Sequence, residues 1–208
     1  IDPNRPMIAL TFDDGPHAPV TNRILDSLEA NGGRATFFMV GNRVTGKANK
    51  AAVARMAALG CEVANHTYEH KAITKLGAEG IKSQLARAND SIRLAGGVSP
   101  VLMRPPGGAK SDAAMKTVGS MGMSAVLWSI DTMDWKTKNK QKTIDAVIGH
   151  VKDGDIVLMH DLYGTTADAA EVIIPKLKEM GFQLVTVSEL ASYRGGIQPG
   201  KVYSRFRP

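Results

Sequence analysis

The stretch MIALTFDDGPH, residues 7–17, is an apolar run that stops at two adjacent carboxylates and a Gly-Pro turn. Its first six residues read as a strand, and residues 20–32 (VTNRILDSLEANG) as the helix behind it, ended by glycine. The alternation recurs. ATFFMV (35–40) precedes a helix near 48–59, CEVANH (61–66) one near 78–95, and VLMR (101–104) one opened by Ser111 as N-cap. SAVLWSI (124–130) precedes a helix near 141–151, DIVLMH (155–160) one near 166–180, and FQLVTV (182–187) a short one at 188–193. These seven β-like runs are continuously apolar, which implies a parallel sheet covered by helices. A closed βα barrel or an open doubly wound sheet fits. The Rossmann glycine fingerprint is absent after the first run, which favours the barrel. The segment RGGIQPGKVYSRFRP (194–208) reads as an irregular tail.

The bulk properties narrow the class. With 208 residues, 43% of them hydrophobic, the chain suits a single domain over residues 1–208. No run reaches the roughly 20 apolar residues of a membrane span. No signal peptide precedes Ile1, so the chain reads as a mature or excised fragment. A lone cysteine, Cys61, excludes an internal disulfide and a cysteine zinc site, and reads as a small buried hydrophobe at a strand start. The net charge of +6 is compatible with an anionic surface. The lysines are scattered without interleaved aromatics, which argues against a nucleic-acid partner.

The polar residues gather where the strands end. Asp13, Asp14 and His17 follow the first run, His66 and His70 the third, Arg104 the fourth, Asp131 and Asp134 the fifth, and His160 with Asp161 the sixth. That is the face on which parallel βα folds assemble active sites. If HTYEH (66–70) forms one helical turn, its two imidazoles share a face. With one carboxylate from the first strand they make a two-His, one-Asp set with a position left open for water, the pattern of catalytic zinc. Glu69 immediately precedes the second histidine, so the zincin motif is absent. Successive side chains at a strand end point apart. One aspartate can therefore ligate a metal while its neighbour faces water, and the cation offsets their repulsion. Trp128 falls inside a strand-like run and reads as core.

Five ordered motifs carry a family resemblance: TFDDGPH (11–17), HTYEH (66–70), RPPGG (104–108), DTMDW (131–135) and LMH (158–160). Over about residues 7–190 the chain resembles the NodB-homology polysaccharide deacetylases, carbohydrate esterase family 4. The resemblance implies a distorted (β/α)7 barrel and an extracellular or wall-associated bacterial enzyme, taken to be monomeric. It implies metal-dependent removal of acetyl groups from N-acetylglucosamine of a glycan, with peptidoglycan favoured over chitin or chitooligosaccharides and acetylxylan. A non-catalytic carbohydrate-binding relative is disfavoured because every motif residue is present.

By the same resemblance, Asp13 is the general base and Arg104 orients it. Asp14, His66 and His70 hold a divalent metal, zinc first, with cobalt, nickel or manganese as alternatives. His160 is the general acid and Asp134 its partner. The Gly107 N–H stabilises the oxyanion, Leu158 lines the acetyl-methyl pocket and Trp135 shapes the groove. Many relatives carry an aromatic after Pro-Pro where this chain has Gly107-Gly108, which implies a wider groove.

Overall fold

A computed structural model describes residues 1–208. Nine strands join in one sheet. They are β1 (Met7–Asp13), β2 (Thr36–Met39), β3 (Glu62–Asn65), β4 (Leu102–Met103), β5 (Ser124–Val126), β6 (Ile130–Asp131), β7 (Ile156–His160), β8 (Gln183–Leu184) and β9 (Val202–Tyr203). The order is β6-β7-β1-β2-β3-β4-β5-β9, all parallel, with β8 beside the start of β1 and β7 beside its end. Around it run α1 (Ala18–Ala30), α2 (Gly46–Ala58), α3 (Ala78–Gly96), α4 (Asp112–Ser120), α5 (Asp134–Thr137), α6 (Lys140–Ile148), α7 (Gly164–Glu179) and α8 (Val187–Ser192). Ser111 caps α4 by accepting the Ala114 N–H, as the sequence predicts. The architecture is the expected distorted βα barrel of parallel strands.

Both faces of the strands are buried, which explains their continuous apolar character. In β1, Ile8, Leu10 and Phe12 pack outward with the helices, and Phe12 stacks on Phe37 at 5.2 Å. Met7 and Ala9 belong to the inner cluster with Phe38, Ala64 and Ile156. Strand periodicity carries the inner row on through Thr11 to Asp13, and both are fully or nearly fully buried. Asp13 therefore faces the barrel axis because it is the fourth member of the row that starts at Met7.

Two expectations change. The run 124–130 is not one strand. β5 pairs with β4 and β9, whereas β6 pairs with β7 at the other end of the sheet. Leu127–Ser129 step across the seam: the Leu127 N–H goes to Tyr203 and the Ser129 N–H to Ile156. The tail is not wholly irregular either. It forms β9, then straps the N-terminal ends of the strands, where the Phe206 N–H bonds Gly154 O and Arg205 bridges Asp155.

Phe206 is 5% exposed, sits in the inner cluster and stacks on Tyr203 at 5.1 Å. Phe206→Ala should cost about 3 kcal/mol in urea denaturation, the low end for buried Phe→Ala because the site lies at the rim of the core. An unchanged midpoint would show that the strap adds nothing to stability.

Candidate active site

A cleft of about 410 Å³ opens at the C-terminal ends of the strands. It is lined by Asp13, Asp14, His66, His70, Gly107, Trp128, Asp131, Trp135, Leu158, His160 and Tyr163, which include nearly all of the residues singled out from the motifs.

The floor is a buried ion pair. Arg104 has no exposed surface, and its Nη1 donates to Asp13 Oδ1 at 2.6 Å and to Thr11 Oγ1 at 2.8 Å. Its Nε and Nη2 donate to the carbonyls of Val126 and Leu127, left open where the chain crosses the seam. Burial pulls the Arg104 pKa down and the Asp13 charge opposes that pull. Asp13 keeps Oδ2 toward the cleft, 3.7 Å from His66 Nε2.

Asp14 takes a left-handed backbone (φ 74°) that turns its side chain away from the inner row. Its Oδ1 lies 3.2 Å from His66 Nε2 and 3.1 Å from His70 Nε2, yet it is buried and has no well-aligned hydrogen-bond donor. The three ligand atoms lie within 4.8 Å of one another. Donors around a tetrahedral zinc at ~2.0–2.1 Å sit ~3.3 Å apart, so this set fits a divalent ion, whose charge would satisfy the orphaned oxygen. His66 Nδ1 is 2.7 Å from the Arg104 carbonyl. Donation there leaves Nε2 as the lone-pair nitrogen facing Asp14, as a metal-binding histidine requires. Burial by itself would raise the Asp14 pKa, but His66 and His70, when a proton sits on Nε2 in place of a cation, hold it well below the usual carboxylate range.

The two histidines do not converge by the expected helical turn. Residues 66–70 form a loop with Thr67 and His70 at positive φ (66° and 57°). The Thr67 N–H donates to Asn65 Oδ1, and those of Tyr68 and Glu69 to Gln84 Oε1. These bonds fold the loop so that the imidazole rings meet edge-on at 4.9 Å.

Opposite stands His160. Four donors reach the Asp134 carboxylate: His160 Nδ1 and N–H, both at 2.8 Å, the Trp135 N–H and the Thr166 hydroxyl. All four acceptor positions are used, which suits a carboxylate and not an amide. Burial by itself would lower the His160 pKa, but the Asp134 pair, helped by the charges of Asp13 and Asp14, pushes it up from 6.5 to about 9.

The remaining residues line the walls. The Gly107 N–H has no acceptor within the chain, and Gly107 and Gly108 both adopt positive φ (66° and 71°). Trp128 corrects the expectation of a core residue: it is half-buried, lies in the seam crossing and walls the cleft. Trp135 is 45% exposed and Leu158 is buried. The motifs contain no sign of Tyr163, which joins the cleft just before α7 with its ring 6.4 Å from His160. The exposed His17 side chain makes no cap bond at the start of α1.

Asp161 supports the first motif from below. It is 1% exposed, accepts the Thr21 hydroxyl at 2.6 Å, and leaves Oδ1 unpartnered. The Thr21 hydroxyl in turn accepts the His17 N–H. Burial and the Asp13 and Asp14 charges push the Asp161 pKa up to about 7. A Cβ on Gly15 would collide with the Asp161 carboxylate, so position 15 has no room for a side chain.

The chain is similar to known proteins along most of its length. The Polysaccharide deacetylase family profile matches residues 1–126. The chain is 44% identical over 190 residues to the peptidoglycan-N-acetylmuramic acid deacetylase PdaC of Bacillus subtilis, covering 91% of this chain and 40% of PdaC. The solved structure of that deacetylase superposes with a TM-score of 0.86 over 93% of each chain. The peptidoglycan-N-acetylglucosamine deacetylase PgdA of Listeria monocytogenes is 37% identical, covering 94% of this chain and 41% of PgdA. The chain therefore spans about two fifths of the length of these two curated relatives. A family 4 acetyl xylan esterase from Clostridium thermocellum, solved with a cobalt ion, is 32% identical with a TM-score of 0.88, over 96% of this chain and 98% of that one.

Gly15→Ala should cost about 1–3 kcal/mol in denaturation, as overpacking does, and markedly less in an Asp161→Ala background. Additive costs in that double-mutant cycle would show that the two positions do not press on each other.

Proposed function

The chain belongs to the polysaccharide deacetylase family, and on that premise we propose that it is a metal-dependent hydrolase that removes acetyl groups from the amino sugars of peptidoglycan. One observation carries the reading: an Asp14–His66–His70 ligand set shares a cleft with two separately held proton carriers, Asp13 on Arg104 and His160 on Asp134. The choice of glycan follows the named activities of PdaC and PgdA.

Two imidazoles and a carboxylate favour zinc. Asp14, His66 and His70 would hold it, and when bound it would supply Lewis-acid polarisation of the acetyl carbonyl and acidification of water. The chain's own residues do the rest. With Oδ1 committed to Arg104, Asp13 offers Oδ2 to the proton of the attacking water. Addition to the carbonyl builds an oxyanion that the free Gly107 N–H can meet, a type of contact whose loss costs about 2.7–4 kcal/mol. Collapse needs a proton on the sugar nitrogen, because an amine anion is a very poor leaving group. His160 Nδ1 is bound to Asp134, which leaves Nε2 to deliver that proton. Asp134 stabilises the cation before transfer. Acetate and the free amine leave together. Leu158 bounds the acetyl methyl, and Trp128 and Trp135 flank the sugar. On this reading the enzyme works outside the cell or at the wall, as a monomer.

Acetate release from peptidoglycan, chitooligosaccharides and acetylxylan tests the proposal, and release from acetylxylan alone would overturn it. His160→Ala should lower turnover of N-acetyl substrates by about 10²–10⁴, but that of an activated acetyl ester far less. The acid is charged below about pH 9 and is lost as pH rises through that value. The wild-type rate on amides should therefore fall on the alkaline side with a midpoint at or below 9, since a bound cation lowers it further. An alkaline limb that survives in His160→Ala would assign the acid elsewhere.

The metal site has its own check. Asp14→Ala should lose bound metal by elemental analysis, while Asp13→Asn should keep it and lose turnover. Full metal content in the first variant, or activity in the second, would undo that division of roles.

A further inference from the structure

A second cleft, of about 500 Å³, lies at the opposite end of the barrel. It is built entirely from the segment between Arg194 and Arg207. Four of its ten lining residues are cationic (Arg194, Lys201, Arg205 and Arg207) and none is acidic. Asp153 and Asp155, at the N-terminal end of β7, pair with Arg194 and Arg207 from behind. Lys201 and Arg205 have no carboxylate within ion-pair distance.

Arg194 is the unusual member. Its side chain is only 10% exposed, Nη2 holds Asp153 at 3.1 Å, and Nη1 reaches the Pro3 carbonyl at 3.5 Å. Its Nε is buried with no acceptor at all. A buried donor left without an acceptor costs about 1–3 kcal/mol, more on a charged group, so native structures rarely leave one empty. The next residue offers an exposed donor beside that buried one, because the Gly195 N–H has no acceptor within the chain. The Tyr203 hydroxyl accepts the Gln198 N–H, which frees its own proton to donate outward.

We infer that this cleft is an anion-binding site for the phosphate groups of a polyol-phosphate polymer, a phosphodiester chain without the bases that the scattered lysines are unsuited to hold. Open guanidinium, backbone and phenol donors suit the unesterified phosphate oxygens. The unpaired Lys201 and Arg205 supply the long-range attraction for a repeating charge. The site opens on the surface, so a chain can lie across it without threading. It is separated from the catalytic cleft by the length of β7, five residues at ~3.3 Å each, about 16 Å. Polymer bound here would hold the enzyme on a charged matrix and leave the catalytic face free.

Anisotropy titration of the whole chain with a labelled glycerol-phosphate polymer tests this. Saturable binding should weaken as salt shortens the screening length. Lys201→Ala/Arg205→Ala should weaken it about tenfold, as the loss of two exposed charge contacts implies. The same double variant should release acetate from chitooligosaccharides at the wild-type rate, which separates failure here from failure of the deacetylase reading. Absence of wild-type binding, or binding unchanged in the double variant, overturns the inference. So does equal affinity for polyglutamate of matched charge, or competition by the polymer with chitooligosaccharide, which would put the polymer in the catalytic cleft.

Discussion

The buried guanidinium of Arg104 is the constraint on which the catalytic face depends. Taking a charge out of water costs several kcal/mol even after relaxation, and it is tolerated only when every donor is engaged. Here the donors are spent on Asp13, Thr11 and two carbonyls at the seam. One side chain therefore joins β4 to β1 and to the crossing between β5 and β6, where no backbone ladder closes the barrel. The same residue's carbonyl faces His66 Nδ1, so the side chain that holds Asp13 also belongs to the residue that sets the tautomer of a ligand. Removing it would strand the Asp13 charge and open the seam together, an effect on fold and chemistry that cannot be separated.

Much of this was legible in the sequence, for physical reasons. A parallel βα fold delivers its loops to one face, so polar residues collected at strand ends mark that face before any topology is known. The motif residues Asp13, Asp14, His66, His70, Gly107, Trp135, Leu158 and His160 do line one cleft. What was not legible depends on strand order and on distant partners. Trp128 looked like core because residues 124–130 are uniformly strand-like, and only the pairing of β5 and β6 with opposite ends of the sheet turns that run into a crossing. The four-residue spacing of His66 and His70 predicts a helical turn that brings them together. In the structure Asn65 and Gln84 side chains do it, by taking the N–H groups of a loop with two left-handed residues. Spacing predicted the convergence because four residues can close either way, and Gln84 lies too far along the chain to reveal which. β9 leaves no mark in the sequence, because two residues bonded to a neighbour carry no periodicity.

The cleft keeps its two proton carriers apart by giving each a counter-group of opposite sign. Asp13 rests on a cation with no exposed surface, and His160 on a carboxylate whose acceptor positions are all filled. Neither Arg104 nor Asp134 lines the cleft itself. Burial alone would discharge an imidazole, so the upward shift at His160 means that Asp134, helped by Asp13 and Asp14, outweighs desolvation. This is the arrangement that amide hydrolysis requires, with one group ready to take a proton while the other is ready to give one at the same pH.

The adjacency of Asp13 and Asp14 follows from the same geometry. Two carboxylates at one strand tip repel, and a strand that simply continued would send the second outward among the helices with Ile8, Leu10 and Phe12. The left-handed turn at Asp14 breaks the alternation, so the second carboxylate stays at the cleft and points to His66 and His70 while the first keeps the inward row. That turn is crowded from beneath by Asp161, which leaves no space for a side chain at position 15. Three carboxylates thus share one corner of the barrel, against the Arg104 guanidinium and the imidazoles. The excess negative charge is a liability for the chain by itself and an asset for holding a divalent cation, since each unit of repulsion relieved on binding adds to affinity. The glycine, the strained aspartate and the buried acid beneath them are parts of one electrostatic arrangement, in which fold stability is given up locally to shape a cation site.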